Sequence, residues 1–421
     1  MNKFFSKEAF AVLRFRDLRL FLAYRFLMTT AVLIQAVVVG WQLYEMTKNP
    51  LSLGMIGLTE VIPQVSITLF AGHFIDIWDR KKIIFRTSFI LLLGSAILLG
   101  SSLDSDFTRF LSGTTPIFFT IFLVGLVRGI LMPANTALLG ELVPRELLSE
   151  AATWGSTSWQ VAAVSGPAIG GLVYGFFGLI SAYTLSFSLF ALSMVFLFFI
   201  KSRGKVVKTS GKNDPIFASI SEGIKYVYKN QVLMGAFSLD MFAVLFGGAV
   251  AMLPVFASDI LKVGPEGLGI LRACPAIGAI IMSFYLTFYP PVKHSGKLML
   301  INVAAFGASM IVFALSKNFY LSAACLFLSG GFDFVSVVVR NNILQLFASN
   351  EMKGRVSSVN SIFIGSSNEL GAFESGAAAS LMGLVPSVIF GGAMTLIVVG
   401  LSSALFPKLR NLSLKEVGKN Q

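Results

Sequence analysis

Gly72-His-Phe-Ile-Asp76-Ile-Trp-Asp79-Arg80-Lys81-Lys82 is a short polar stretch between two long apolar runs, and its charge order decides how the chain is read. The first run closes near Asp76, and three cations follow in a row. Membrane proteins keep such clusters on the cytoplasmic side. Cations at a helix end offset the negative C-terminal dipole, while Asp76 can accept N–H bonds from the N-terminus of a neighbouring helix. Gly72, one turn before Asp76, admits a close neighbour. The stretch therefore predicts a tight inward-facing turn between two membrane spans.

The rest of the chain fits a membrane solvent. Of 421 residues, 55% are hydrophobic and only 13% charged, with 40 Phe, and the mean hydropathy is +0.79. These values belong to the membrane class. The net charge of +12 raises the question of nucleic acid, so the position of each Lys and Arg matters. Of the 33, 25 fall in loops, tails and span ends on the side of Gly72–Lys82. Four lie on the other side (Lys48, Arg109, Lys262, Lys317) and four inside spans (Arg25, Arg128, Arg272, Arg340). That asymmetry is the positive-inside rule, and it accounts for the charge without a nucleic-acid partner. Cys274 and Cys325 sit in apolar runs with no ligand spacing, so neither a disulfide framework nor a metal site is expected. No Gly-x-x-x-x-Gly-Lys-(Ser/Thr) loop and no Gly-x-Ser-x-Gly elbow occurs, and His73 and His294 stand alone. An ATP-driven pump, an enzyme and a bound cofactor are thus disfavoured.

Twelve apolar runs are long enough to cross about 30 Å of hydrocarbon. Their expected limits are 20–46, 52–76, 83–103, 116–140, 147–176, 178–200, 232–258, 265–289, 297–315, 318–347, 355–381 and 384–407. The first is too long for a signal h-region and lacks a small-residue cleavage site, so it is expected to stay as span 1. Residues 1–19 carry Lys3, Lys7, Arg14, Arg16 and Arg19 among Phe and Leu. They suit a basic amphipathic segment on the inner surface, with a disordered tail as the alternative. Between spans 6 and 7 a basic stretch ends in Phe217, Ile220, Ile224 and Val227 at helical spacing, which predicts a lateral surface helix.

The two halves repeat. A shift of 205 residues lays Phe122-Leu-Val-Gly over Phe327-Leu-Ser-Gly, Glu146 over Glu351, and Gly166, Gly171 and Gly178 over Gly371, Gly376 and Gly383. A shift of 212 lays Gly57 over Gly269 and Pro63 over Pro275. The expected organisation is an N-terminal six-helix bundle over 1–200, a cytoplasmic linker with its surface helix over 201–231, and a C-terminal bundle over 232–421.

At Gly72, Asp76, Arg80 and Lys81 the chain resembles the loop between helices 2 and 3 of the major facilitator superfamily, Gly-x-x-x-Asp-(Arg/Lys)-x-Gly-Arg-(Arg/Lys). Ile77 replaces the family's first basic residue and Asp79 its second glycine. Gly166-Pro167-Ala-Ile-Gly170-Gly171 in span 5 resembles the end of the superfamily's antiporter motif, with Ala162 in place of its leading glycine. Pro167 breaks the hydrogen-bond ladder, and the glycines let span 5 press on a partner, which the family implies is span 8. Generic tight packing is the plainer reading of the same residues. Pro144-Arg-Glu, Gly354-Arg-Val and Asn368-Glu-Leu-Gly are most similar to the branch holding enterobactin exporters and macrolide-efflux proteins. The resemblance implies an all-α fold of 12 transmembrane helices in two pseudo-symmetric six-helix bundles, an arrangement of repeated halves. It also implies export of a siderophore or an amphipathic drug-like small molecule across a bacterial inner membrane against proton entry. Both termini would be cytoplasmic and the protein a monomer. It further implies a cytoplasmic latch of Gly72, Asp76, Arg80, Lys81 and Glu141, with Asp76 meeting span 11 near Gly354–Val356.

Charges inside spans carry the sharpest physical signal, because each costs roughly 2.5–3.5 kcal/mol or more at mid-bilayer unless paired or wet. More than one turn from the span ends there are nine: Arg25, Glu60, Arg128, Asp240, Arg272, Asp333, Arg340, Glu369 and Glu374. In the repeat registers Arg128 falls on Asp333 and Glu60 on Arg272, opposite charges at equivalent positions. Arg128 and Asp333 are expected to flank a cavity together with Arg340, Glu60 and Arg272, either binding cargo or pairing as a gate; a purely structural ion pair is the alternative. A carboxylate in low dielectric can load and release protons near neutral pH. Glu369 and Glu374 are the expected proton carriers, with Asp240 as second choice, against the alternative of acids held permanently by a basic or polar neighbour. A lipid or lysolipid flippase of the same fold and a non-transporting sensor or scaffold are the competing readings.

Overall fold

The structure is a computed structural model that describes residues 11–103, 113–201, 216–349 and 352–414. Among the described residues it holds helices and turns but no strand. The membrane-length helices are α1 (Arg16–Thr47), α2 (Pro50–Ile77), α3 (Arg80–Ser101) and α4 (Thr115–Leu142). The helix Leu148–Phe198 supplies α5 and α6. They are followed by α7 (Gln231–Ile260), α8 (Gly264–Phe288), α9 (Ser295–Leu315), α10 (Phe319–Phe347), α11 (Lys353–Met382) and α12 (Leu384–Leu405). All twelve expected spans are therefore present, with limits within about one turn of those read from hydropathy. The expected inner-surface segment over 1–19 falls mostly outside the described residues; a short 3-10 turn, Val12–Arg14, leads into α1.

Ten helices are apolar and long enough on their own to cross a membrane. Two findings complete the twelve. Leu148–Phe198 is not one rod: Gly178 has φ 81° and ψ 177°, so α5 covers 148–177 and α6 covers 179–198. The second is α11, whose 30 residues exceed the bilayer's hydrocarbon thickness. It carries Asn360, Asn368, Glu369 and Glu374 and so falls short on hydropathy.

The repeat is visible in the turns. Gly178 and Gly383 occupy equivalent positions and both lie at positive φ, 81° and 90°, conformations open to glycine and strained for other residues. Each reverses the chain within one residue. Lys48, between α1 and α2, and Lys262, between α7 and α8, are likewise left-handed at φ 49° and 53°. The same pair of turn geometries is thus written twice.

By contacts the residues group into two compact units: Met1–Met46 with Ile62–Ser210 and Gly264–Ala273, and Thr47–Val61 with Gly211–Val263 and Cys274–Gln421. The first is centred on Phe21, Tyr24, Ile84, Leu91, Leu138 and Phe190. There the Tyr24 hydroxyl is hydrogen-bonded to that of Ser88 at 3.0 Å. The second is centred on Leu233, Phe237, Met299, Val303, Val339 and Ile343.

Lipid is as apolar as leucine, so helices adhere in a membrane where backbones can touch. In the first unit a Cβ on Gly171 of α5 would lie only 2.5 Å from the Cα of Gly269 in α8. In the second, a Cβ on Gly54 of α2 would lie 3.0 Å from the Cα of Gly376 in α11. Gly330 of α10 packs directly on the backbone of Pro275 in α8, whereas a Cβ on neighbouring Gly331 would meet nothing closer than 3.6 Å. Gly330→Ala is therefore expected to destabilise the purified protein by about 1–3 kcal/mol, seen as a lowered melting midpoint in detergent, while Gly331→Ala leaves the midpoint near that of the parent.

Candidate functional site: charges within the membrane helices

The intramembrane charges segregate by unit. The first unit holds Arg25 in α1, Arg128 in α4 and Arg272 in α8; the second holds Glu60 in α2, Asp240 in α7, Asp333 and Arg340 in α10, and Glu369 and Glu374 in α11. One pair cancels within its own unit. Arg340 Nη1 forms an ion pair with Asp240 Oδ2, and the two residues are only 3% and 5% exposed. Asp240 is thus held by a buried counter-charge, a partner that the sequence does not reveal because neither repeat register covers α7. Asp333, partly buried, lies seven residues before Arg340 on the same face of α10, about 10 Å along the axis.

The acids of α11 lie along its glycine seam with α2. Gly57 abuts the carbonyl of Glu369, leaving no room for a Cβ. Glu60 follows Gly57 by one turn on α2, so the seam sets Glu60 and Glu369 at neighbouring levels of the second unit. Glu374 is also partly buried. In the first unit, Gly129, next to Arg128, admits α2 at Gln64 and Thr68, whose hydroxyl reaches the Gly129 carbonyl at 3.5 Å. Arg272 follows Gly269 by three residues, and its Nε has no hydrogen-bond partner among the described residues.

The glycine motif of α5 serves two neighbours rather than one. Gly171 meets Gly269 and Gly175 meets Glu266, both in α8, whereas Gly166 and Gly170 face Leu33 and Ile34 of α1. Glycines five residues apart point about 140° away from each other, which is why the expected α8 contact is only half of what the motif does.

At the Gly72–Lys82 turn, Arg80 Nη1 donates to Glu141 Oε1 at 2.6 Å and to the Ala137 carbonyl at 3.3 Å, tying α3 to the end of α4. Lys81 Nζ donates to the Phe198 carbonyl at 2.8 Å and to that of Ile200, so it closes the C-terminus of α6. Asp79 accepts the Lys82 N–H at 3.0 Å as the N-cap of α3, a physical reason for an acid where the family pattern has glycine. Gly72 and Asp76 lie in α2, with side chains outside the described residues. The surface helix, Ile216–Lys229, docks through Gly223 on the Arg355 carbonyl of α11 and through buried Val227. Ile224, expected on its apolar face, is 37% exposed. Tyr226 donates to the Phe347 carbonyl at 3.0 Å, and Glu222 pairs with Arg355. Among the described residues, no group of three or more His, Cys, Asp or Glu could hold a metal.

A family model described as transmembrane secretion effector matches residues 7–419. The chain belongs to this family of major facilitator transporters. YfmI, an uncharacterized MFS-type transporter of Bacillus subtilis (strain 168), is 22% identical over 272 residues, 61% of this chain and 66% of its own length, so the chain spans just under two thirds of that relative. Macrolide efflux protein A of Streptococcus pyogenes is 22% identical over 400 residues, covering 92% of this chain and 95% of that protein. The fold matches the solved inward-facing, unoccupied structure of a bacterial homologue of the human lysosomal transporter Spinster, at TM-score 0.70 and 14% identity over 94% of this chain and 98% of the other. The family is one of membrane transporters, and among the described residues this chain has ten helices long and apolar enough to cross a membrane.

For this transporter the Asp240–Arg340 pair makes a direct stability claim. Asp240→Asn leaves Arg340 buried beside a neutral amide and is expected to lower stability by about 3–5 kcal/mol. Asp240→Leu with Arg340→Met, which removes both charges, is expected to recover most of that loss. Denaturation of the purified variants in detergent, read by intrinsic fluorescence, checks both.

Proposed function

We propose that this transporter exports amphipathic, drug-like small molecules across the bacterial inner membrane by alternating access, driven by proton entry. The supporting observation is the number of charges carried inside the membrane helices. Beside the Asp240–Arg340 pair these are the acids Glu60, Asp333, Glu369 and Glu374 and the arginines Arg25, Arg128 and Arg272. Side chains this costly in hydrocarbon are retained where they meet water, ions or cargo. Acids within the spans suit an amphipathic cation, and efflux of a macrolide by a relative covering nearly its whole length agrees with such cargo. Arg128, Asp333, Arg272 and Glu60 would line the cargo path. Glu369 or Glu374 would carry the proton, Asp240 being held by Arg340. Residues 1–200 and 232–421 would form the two moving bundles, joined by 201–231. The basic loops and both termini would face the cytoplasm, where Arg80 and Glu141 would act in the latch with Gly72, Asp76 and Lys81. Each chain would work as a monomer. A siderophore is the competing cargo, favoured by the arginines of the first unit.

The test is flux through purified protein in proteoliposomes, with a macrolide and a siderophore offered separately under an imposed pH gradient. Macrolide accumulation is expected to depend on the gradient. Glu369→Gln or Glu374→Gln is expected to abolish concentrative movement while sparing exchange without a gradient. Full coupling in both variants would remove these acids from the proton path. Movement unaffected by collapsing the gradient would instead mark a facilitator or flippase, and siderophore movement alone would reassign the cargo.

A further inference from the structure

Neither the cargo path nor the latch uses the end of the second unit where α7 and α9 begin and α12 stops. Three segments meet there: the close of the surface helix, the turn from α8 into α9, and the chain that follows α12. Pro407–Arg410 forms one helical turn, and buried Leu409, Leu412 and Leu414 fasten it. Gly235 of α7 admits Phe406 and Leu409, since a Cβ there would lie only 2.8 Å from Phe406. Gly296 of α9 abuts the Leu409 carbonyl and donates its N–H to the Leu412 carbonyl at 3.2 Å, while the Leu414 N–H reaches Ser295 Oγ at 3.4 Å. Gln231 Nε2 donates to the Leu405 carbonyl at 3.4 Å, which brings in the end of the surface helix.

These apolar and backbone contacts gather charge of one sign. Residues 224–231, 290–298 and 405–414 hold six Lys or Arg and no acid: Lys225, Lys229, Lys293, Lys297, Lys408 and Arg410. All six are exposed, and none forms an ion pair among the described residues. Glu222, the acid of the surface helix, is taken by Arg355. Lys297 adjoins Gly296, and Lys408 and Arg410 flank Leu409, so docking of the tail brings like charges together. An anion between them relieves that repulsion. Lys229, Lys293 and Lys408 stand two or three residues beyond the ends of α7, α9 and α12, which is the depth of lipid headgroups rather than of bulk solvent. Exposed tyrosines share that level: Tyr228 beside Lys229, and Tyr285 and Tyr289 at the close of α8, their rings 5.0 Å apart. Tyrosine collects at the boundary between membrane and water.

We propose that this end of the second unit binds anionic phospholipid, with the headgroup phosphate seated among Lys293, Lys297, Lys408 and Arg410, and with Lys225 and Lys229 extending the surface. Clusters of about four to eight cations beside a membrane span draw anionic lipid in this way. The lipid is also the counter-ion of the tail, so it holds Pro407–Arg410 against α7 and α9. Charge selects an anion, and depth with the tyrosines selects one that is carried on an acyl chain. Nothing in this site depends on the exported cargo or on proton coupling.

The test is native mass spectrometry of the purified full chain with phosphatidylglycerol and phosphatidylcholine offered in equal amounts, paired with the melting midpoint in each lipid. Preferential retention of phosphatidylglycerol and a saturable rise in midpoint are expected, and both should weaken as salt is raised. Lys293→Gln, Lys297→Gln, Lys408→Gln and Arg410→Gln made together should lower the apparent affinity for phosphatidylglycerol about tenfold or more. Arginine in place of the three lysines, which keeps the charge, should retain it. Lys262→Gln with Lys317→Gln, at the opposite ends of α8 and α9, should leave it unchanged. Equal retention of the two lipids would overturn the proposal, as would undiminished affinity in the fourfold variant. A midpoint raised as far by soluble glycerol phosphate as by phosphatidylglycerol would mark a free-phosphate site and overturn the lipid assignment.

Discussion

Close backbone contact at glycine is the constraint on which the rest of this molecule depends. Where lipid competes equally for every apolar side chain, shape and contact distance decide which helices adhere. The α5–α8 contact at Gly171 and Gly269 and the α2–α11 contact at Gly54 and Gly376 use the same device in the two units. They are also near-equivalents in the repeat, since Gly171 maps onto Gly376 and Gly57 onto Gly269. The costly charges hang from these seams: Arg272 is one turn beyond Gly269, and Glu369 lies against Gly57. Packing sets the level of each charge, and a shift along a seam would move them together.

Charge then works on that scaffold at two grades. The Asp240–Arg340 pair is buried and self-compensating, so it adds nothing to the net field of its unit. Its value lies in fixing α7 against α10, since breaking such a pair costs far more than the intact pair contributes. The other membrane-embedded charges are Glu60, Asp333, Glu369 and Glu374 in the second unit and Arg25, Arg128 and Arg272 in the first. Each is costly in hydrocarbon, and its level is set by the helix that carries it.

Much of this was legible because the bilayer simplifies the code. Apolar run length located every span, α11 included, and the glycines that α11 shares with α5 agree with that reading. Gly178 and Gly383 aligned in sequence and adopt the same backbone conformation. Other features escaped for physical reasons. The Asp240–Arg340 pairing is a tertiary contact between helices far apart in sequence. Asp79 read as a departure from the family loop until its role as a helix cap was visible. The two faces of the α5 motif follow from helical rotation, yet only the neighbours reveal that α1 claims one of them.

The reversals at Gly178 and Gly383 bear on how the protein enters its membrane. A single residue joins α5 to α6 and α11 to α12, so neither helix of a pair can settle in lipid while its mate waits in water. Each pair is therefore built as a helical hairpin. For α11 this is an advantage, because its own asparagines and glutamates argue against partitioning, whereas α12 is almost wholly apolar and carries no charge. An apolar helix thus follows α11 after a single residue, which offsets the polarity of α11 when the pair enters lipid.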